Sequence, residues 1–445
     1  MTSPLETPDF APGQPVPPVA RSLADWLAWQ ESLHPKDIEL GLERCRTVAA
    51  RMRLLPVAYT AIVVAGTNGK GSTVAMLDAI YRGAGYRVAT YTSPHLLRYN
   101  ERIKTDGECA DDARICAAFA RVEEARGDIP LTFFEFGTLA ALAIFQDDAP
   151  DIAILEVGMG GRLDAVNIVD ADVAVIATLD IDHIEWLGTT RDAIAREKAG
   201  IMRAGRPAVC SDPDAPVTLI DSAAALGARL ELLGQSFHFA DKGETWTWWS
   251  GETVLEGLPR PSLPGSYQLR NASGVLKAVD ALQSRHPVSA TQIADALRST
   301  VLRGRFQRVG GPVEVVLDVA HNAQAVAHFV ATLKSLPAVA HTHVVLGMLG
   351  TKDRLSAMTS LAEVADHWYF ATVNAAKAAT ADELHATWRR LPRRAPAACH
   401  ATVEDAYRAA ASAAQPGDRI IAVGSFITVG EVLRLVAPDD TPRGA

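Results

Sequence analysis

Apolar residues recur three and four apart over Leu23–Trp29 and again over Ile38–Met52, a spacing that predicts two amphipathic helices. Ala61–Val64 breaks that rhythm with a continuous apolar run, the pattern of a buried strand. The run leads into Gly66-Thr67-Asn68-Gly69-Lys70-Gly71-Ser72-Thr73, after which Val74–Tyr81 returns to helical spacing. A second strand, Arg87–Tyr91, ends at Thr92-Ser93-Pro94-His95. Ile152–Leu155 leads into Glu156-Val157-Gly158-Met159-Gly160-Gly161-Arg162, and Val173–Ala177 into Thr178-Leu179-Asp180-Ile181-Asp182-His183. In an open parallel sheet the loops beyond the carboxyl ends of the strands converge on one crevice. The four polar motifs are therefore expected to form one site.

Further along, Phe237–Thr253 is rich in tryptophan and small polar residues and predicts a local antiparallel element. Ser262–Gly265 is a turn signal, and a helical stretch follows it. Beyond Ser299–Gly304 the runs Val313–Leu317, His343–Leu346, His367–Thr372 and Arg419–Val423 predict short strands separated by helices. The chain thus divides into a tail over 1–21, a first α/β domain over 22–299 and a smaller α/β domain over 300–445.

Composition narrows the class. A chain of 445 residues exceeds one ordinary core, which agrees with two domains. A net charge of −9 supplies no general attraction to nucleic acid or to an anionic membrane. Six prolines in the first eighteen residues, with no apolar segment among them, read as a tail rather than a signal peptide. Cys45, Cys109, Cys116, Cys210 and Cys399 form no CxxC pair, which fits a reducing, cytoplasmic setting.

The loop at 66–73 carries the clearest chemistry. Its small residues let the backbone approach phosphate oxygens, and the following helix directs its positive end at them. Lys70 can set a point charge against the β and γ phosphates, while Ser72 or Thr73 can donate hydroxyls. The loop departs from a Walker A motif, because Val64 stands where the first glycine belongs and Gly71 precedes the hydroxyl residues. Alone it reads as a kinase or a switch GTPase would, or as a glycine-rich turn beside a surface lysine. Glu156 and Ser93 offer hard oxygens for magnesium, and Asp180, Asp182 and His183 gather further ligands at another strand end. Each has a plain structural reading too, as helix cap or local hydrogen-bonding group. Lys198, within Arg196-Glu197-Lys198-Ala199-Gly200-Ile201, reads in isolation as a charged helix end; to hold a cation it would need covalent conversion to a carboxylate-like group.

Together with Leu163-Asp164 after the Glu156 motif, Gly304-Arg305-Phe306, Asp318-Val319-Ala320-His321-Asn322 and Gly424-Ser425-Phe426, this ordered set resembles folylpolyglutamate synthase, of the Mur ligase superfamily. It is most similar to the bacterial bifunctional dihydrofolate synthase/folylpolyglutamate synthase form, over about residues 22–436. The resemblance implies a P-loop ATPase-like three-layer N-terminal domain and a smaller Rossmann-like C-terminal domain, with ATP between them. It implies that Thr67, Asn68, Gly69 and Lys70 bind the triphosphate, that Asn271 and Arg305 contact the nucleotide, and that Asp318 and His321 approach adenosine. Ser93, Glu156 and His183 would hold Mg2+, with Lys198 as a carbamate supporting a second ion. Two positions depart from the family's pattern: Ala323 replaces the usual proline after the His-Asn pair, and Ile427 stands where many relatives carry histidine.

The same resemblance implies activation of a carboxylate as an acyl phosphate and its transfer to the amine of L-glutamate, with Lys70, His183, Lys198 and Arg305 in the catalytic centre. For the pterin or folate substrate, Ser32–Gly41 resembles an entrance segment. Thr132-Phe133-Phe134-Glu135 and Leu163-Asp164-Ala165 resemble pteroate-binding segments. An aromatic ring there could stack on a planar pterin while Asp164 accepts its hydrogen bonds, although adjacent aromatics are more often core. A monomer is expected, with no nucleic acid or membrane partner. The competing readings are a folylpolyglutamate synthase without dihydrofolate synthase activity, a ligase of a cell-wall nucleotide precursor, and a non-enzymatic P-loop interaction protein.

Overall fold

The run Thr60–Ala65 is buried at every position, and alternate residues serve opposite layers, as the period of a strand requires. Ala61, Val63 and Ala65 join one apolar cluster, whereas Ile62 and Val64 join another on the far side of the sheet. The computed structural model describes residues 22–34, 39–392 and 395–437. The expected tail and residues 35–38 of the entrance segment lie outside the described residues.

The first domain is built on β1 (Thr60–Ala65), β2 (Val88–Tyr91), β3 (Ile103–Thr105), β4 (Glu108–Cys109), β5 (Ile152–Glu156), β6 (Val173–Ile176), β7 (Pro207–Cys210) and β8 (Arg229–Leu232). Their order across the sheet is β4-β3-β2-β5-β1-β6-β7-β8. Pairing is parallel from β2 to β8, while β3 and β4 add an antiparallel edge. The four strands that end in polar motifs, β2, β5, β1 and β6, are thus immediate neighbours with their carboxyl ends on one side. One face is covered by helices Leu23–Leu33, Glu43–Arg51, Asp112–Arg126 and Phe133–Asp148. The other packs on Lys70–Gly83, Tyr267–Leu282 and Ala290–Ser299. A small antiparallel sheet, β9 (His238–Asp241), β10 (Thr245–Ser250) and β11 (Thr253–Pro259), closes that layer through buried Trp246 and Trp248.

The second domain contains β12 (Gln307–Val309), β13 (Glu314–Asp318), β14 (Thr342–Leu346), β15 (His367–Ala371), β16 (Ala397–His400) and β17 (Arg419–Val423), ordered β12-β13-β17-β14-β15-β16. All pairs are parallel except that of β12 with β13. Helices again cover both faces, giving two separate clusters of its own.

Three local expectations change. The helix expected over Ile38–Met52 begins at Glu43; ahead of it the chain bends, and the Gly41 amide donates to the Leu163 carbonyl. The helix expected over Val74–Tyr81 begins four residues earlier, at Lys70, so half of the glycine-rich loop is its first turn. The sequence pattern does not predict strands β3, β4, β7, β8, β12 and β16, each two to four residues long; β12 and β16 are edge strands with no fully buried side chain. The five cysteines are free, with Cys45 and Cys210 buried and Cys399 exposed. No helix among the described residues is long and apolar enough to cross a membrane.

Candidate active site

Four strand-end loops of the first domain and four of the second line one cavity of about 710 Å³. Gly69 begins the cradle in a left-handed conformation, φ +87°, and a Cβ there would stand 2.7 Å from Asn271 Oδ1. Glycine is needed on both counts, since the left-handed region strains other residues and the space is already filled. Asn271 is itself fixed, its amide donating to Gln268, whose own amide donates to the Ser72 hydroxyl. Thr67 knits this loop to the next: its hydroxyl donates to the Asp180 carbonyl and accepts from the Asp180 amide, and its amide donates to the Thr178 carbonyl. The Lys70 ammonium folds onto the carbonyls of Gly66, at 2.9 Å, and Thr67. Burial lowers its pKa, opposed by Glu156 and Asp182.

Glu156 is buried at the end of β5, and one carboxylate oxygen accepts from the Ser93 amide at 3.3 Å. Burial pushes its pKa up, and Lys70 pulls it back. His183 sits at φ +51°, and burial with the nearby Lys352 ammonium lowers its imidazole to about 4. It is therefore neutral at physiological pH, the form in which a histidine ligates metal. Lys198 is 3% exposed, and among the described residues its ammonium has no hydrogen-bond or ion-pair partner. Burial, helped by Lys70, lowers its pKa to about 7. A lysine in that setting holds its charge poorly.

Asp180 and Asp182 do not gather as further ligands: the Asp180 carboxylate accepts from the amide of Ile181, and Asp182 pairs with Lys352 at 2.6 Å. Among the described residues no three His, Cys, Asp or Glu side chains form a metal cluster. What remains is Ser93, Glu156 and His183, one carboxylate with a hydroxyl and an imidazole. That donor set suits a hard divalent cation completed by phosphate oxygens and water, and it would hold the buried Glu156 ionised.

The second domain supplies the far wall. Asp318 accepts from the amides of Phe306 and Ala320, and burial raises its pKa. His321 meets the Val319 carbonyl through Nδ1, which therefore carries the proton and leaves Nε2 facing Asp182 at 3.6 Å. The Arg305 guanidinium stacks over the Phe426 ring at 5.4 Å. The chain from Pro94 to Arg98 docks against helix Phe426–Val436: Arg434 donates to the Leu97 carbonyl, and a Cβ on Gly430 would lie 2.4 Å from the Leu96 carbonyl oxygen.

The pteroate-like segments lie apart from the cavity lining. Thr132 and Glu135 form the capping box of helix Phe133–Asp148, and Glu135 pairs with Arg44 at 2.9 Å. Both Asp164 oxygens accept backbone amides, from Met159 and Val166, and burial raises its pKa to about 7. Leu163 and Ala165 flank it on the same turn, with Leu163 accepting from Gly41. Phe133 stands against Tyr99, whereas the Phe134 ring lies on Gly158, which does line the cavity. Lys352, Gln324 and Tyr267 also line the cavity and had no assigned role. Only the Gly350-Thr351-Lys352-Asp353 turn after a strand could have signalled the first of them.

Residues 64–215 match the Mur ligase middle domain, and residues 304–426 the glutamate ligase domain of Mur ligases. The dihydrofolate synthase/folylpolyglutamate synthase of Escherichia coli K12 is 42% identical over 420 residues, 94% of this chain and 97% of that protein. The structure of E. coli FolC in complex with DHPP and ADP superposes with a TM-score of 0.90 at 41% identity, covering 96% of this chain and 100% of the other. A bifunctional folylpolyglutamate synthase/dihydrofolate synthase with Mn, AMPPNP and L-glutamate bound gives 0.86 at 42%, covering 93% and 98%. On that similarity along nearly its whole length, the chain belongs to the dihydrofolate synthase/folylpolyglutamate synthase family of Mur ligases.

Proposed function

We propose that this protein is an ATP-dependent ligase that joins L-glutamate to dihydropteroate and to reduced folates or their polyglutamates. The carrying observation is the single cavity where the cradle of Gly69 and Lys70 faces Arg305, Asp318 and His321 of the other domain. Relatives that hold ADP with DHPP, or AMPPNP with L-glutamate and Mn, support the same substrates here.

In this reading the backbone of Thr67–Gly69 and the Lys70 ammonium receive the triphosphate, Asn271 and Arg305 contact the nucleotide, and Asp318 and His321 approach adenosine. Ser93, Glu156 and His183 would hold Mg2+, with Lys198 as a carbamate beside them. The ion supplies neutralisation of the phosphate oxygens. A substrate carboxylate oxygen attacks the γ phosphorus and ADP leaves; Lys70 and Arg305 stabilise the charge that passes between them. The glutamate amine, having lost its proton, then attacks the acyl carbon, and phosphate departs. Closure of two domains over one cavity orients the partners and excludes water that would hydrolyse the acyl phosphate.

For the pterin side, we assign the stacking role to Phe134 rather than Phe133, because the Phe134 ring lies against Gly158, which lines the cavity. Thr132, Glu135 and Asp164 shape that wall through their backbone and capping bonds, with Leu163 and Ala165 beside them. We place the domain boundary at 299–300 and take the protein as a cytoplasmic monomer; free cysteines fit that compartment. The test is glutamate-dependent ADP release with dihydropteroate and with tetrahydrofolate, each at saturating ATP and magnesium. Both should stimulate release. Stimulation by the reduced folate alone would leave a folylpolyglutamate synthase only, and stimulation by neither would reject the ligase reading.

A further inference from the structure

Asp182 and Lys352 are 170 residues apart, one in each domain, and their side chains are only 10% and 9% exposed. Lys352 Nζ stands 2.6 Å from Asp182 Oδ1. The same oxygen accepts the backbone amide of His183 at 2.8 Å, so the contact that ties the domains also fixes the turn that carries His183. Asp182 Oδ2 accepts from Asn322 Nδ2 at 3.3 Å. Asn322 caps helix Ala323–Lys334, and its Oδ1 accepts from the Ala325 amide, which sets the direction of its Nδ2 group. That group also donates to Asn68 Oδ1 at 3.0 Å, and Asn68 returns a bond to Gln324 Oε1 at 2.7 Å. His321 Nε2 also faces Asp182 Oδ2 at 3.6 Å, so two loops of the first domain, one cradling phosphate and one bearing His183, are held by four side chains of the second.

Lys352 is presented by a stiff turn. Gly350 donates to the Lys377 carbonyl at 2.7 Å, Leu349 bridges to Ala378, and Asp353 caps helix Arg354–Leu361. A lysine free to bind phosphate would keep its ammonium clear of carboxylates, whereas this one is spent on Asp182.

We propose that Lys352 is a positioning residue that latches the closed arrangement of the two domains and sets Asp182, and through it His183, in place only when the second domain is docked. Breaking a buried ion pair by removing one partner leaves the other charge uncompensated, so the loop of Asp182 should move when Lys352 is neutralised. The proposal rests on the ligase reading for its kinetic readout and on the closed geometry alone for its structural one.

The test uses the full chain with Lys352→Met, Lys352→Arg, Asp182→Asn and the Met/Asn double variant. Lys352→Met should lower kcat by at least about 10-fold, within the roughly 100-fold that a misplaced reacting group costs. KM for ATP should stay near the parental value, because the loss falls on an arrangement made for the reaction step. Lys352→Arg, which keeps the cation, should recover most of the rate. The double variant should lose clearly less than the product of the two single losses, since both changes break the Lys352–Asp182 contact. In small-angle X-ray scattering with AMPPNP and magnesium, Lys352→Met should be more extended than the parent. An unchanged kcat, multiplying losses in the double variant, a loss confined to ATP affinity, or scattering equal to the parent's would each overturn the latch. Failure of the parent to release ADP with any folate would instead reject the ligase reading, and the scattering comparison would still decide the latch.

Discussion

Lys198 shows most sharply how a side chain's surroundings change its chemistry. By sequence it belongs to a charged helix end, yet it is buried, has no hydrogen-bond or ion-pair partner among the described residues, and is lowered to about 7. A neutral amine attacks carbon dioxide, releases a proton and becomes a carbamate, whereas an ammonium has no lone pair for that step. Recovery of activity on adding bicarbonate to enzyme depleted of carbon dioxide should therefore be full at about pH 8 and fall steeply by about pH 6, as the amine protonates. Lys198→Ala should lose most activity, and a small carboxylic acid should restore part of it. An active Lys198→Ala enzyme, or bicarbonate recovery indifferent to pH, would rule the carbamate out. Burial was the illegible part of this residue. Glu197 beside it pairs outward with Arg162 at 2.7 Å, and nothing in the local pattern says that the next side chain turns inward between Gly161 and the cavity.

Among elements, the start of helix Lys70–Gly83 carries a test of what its glycines are for. Gly69 at φ +87° opens the helix and Gly85 at φ +91° follows it, but only Gly69 has a neighbour within reach of a Cβ. Gly69→Ala and Gly85→Ala should each destabilise the fold by about 1–2 kcal/mol from the left-handed backbone. Only Gly69→Ala should also weaken AMPPNP binding, read by calorimetry beside thermal melts. Equal nucleotide affinity in both would deny the cradle its role. At this scale much was legible. Continuous apolar runs marked β1, β5 and β6, because strands buried on both faces cannot alternate, and the polar motifs beyond them marked the site. The exposed edge strands β12 and β16 lacked that signal. Thr132 and Glu135 show a different limit: a threonine three residues before a glutamate reads equally as a capping box or as substrate contacts, and the capping box is the part the structure shows. The ties from Lys352 to Asp182 and from Asn322 to Asn68 join residues far apart in sequence and were out of reach of any local pattern.

For the whole molecule, each of the two large sheets has its own pair of apolar clusters, and Leu97 of the first domain is buried within one of the second domain's. Side-chain bonds from Lys352, Asn322 and Gln324 also tie the two halves together. Unfolding without ligand should then show two calorimetric transitions. AMPPNP with magnesium, touching both halves, should raise the lower one and draw the two together, with about 2.7 kcal/mol gained at a hundredfold excess over Kd. A single sharp transition without ligand would contradict this division. The docking of Leu96 on Gly430 gives the seam an exacting tolerance. A methyl group on Gly430 would stand 2.4 Å from the Leu96 carbonyl oxygen, well inside contact distance. One added carbon would act as a shim, wedging two intact halves apart while leaving each correctly folded, so the protein's ability to shut depends on an atom that its sequence omits.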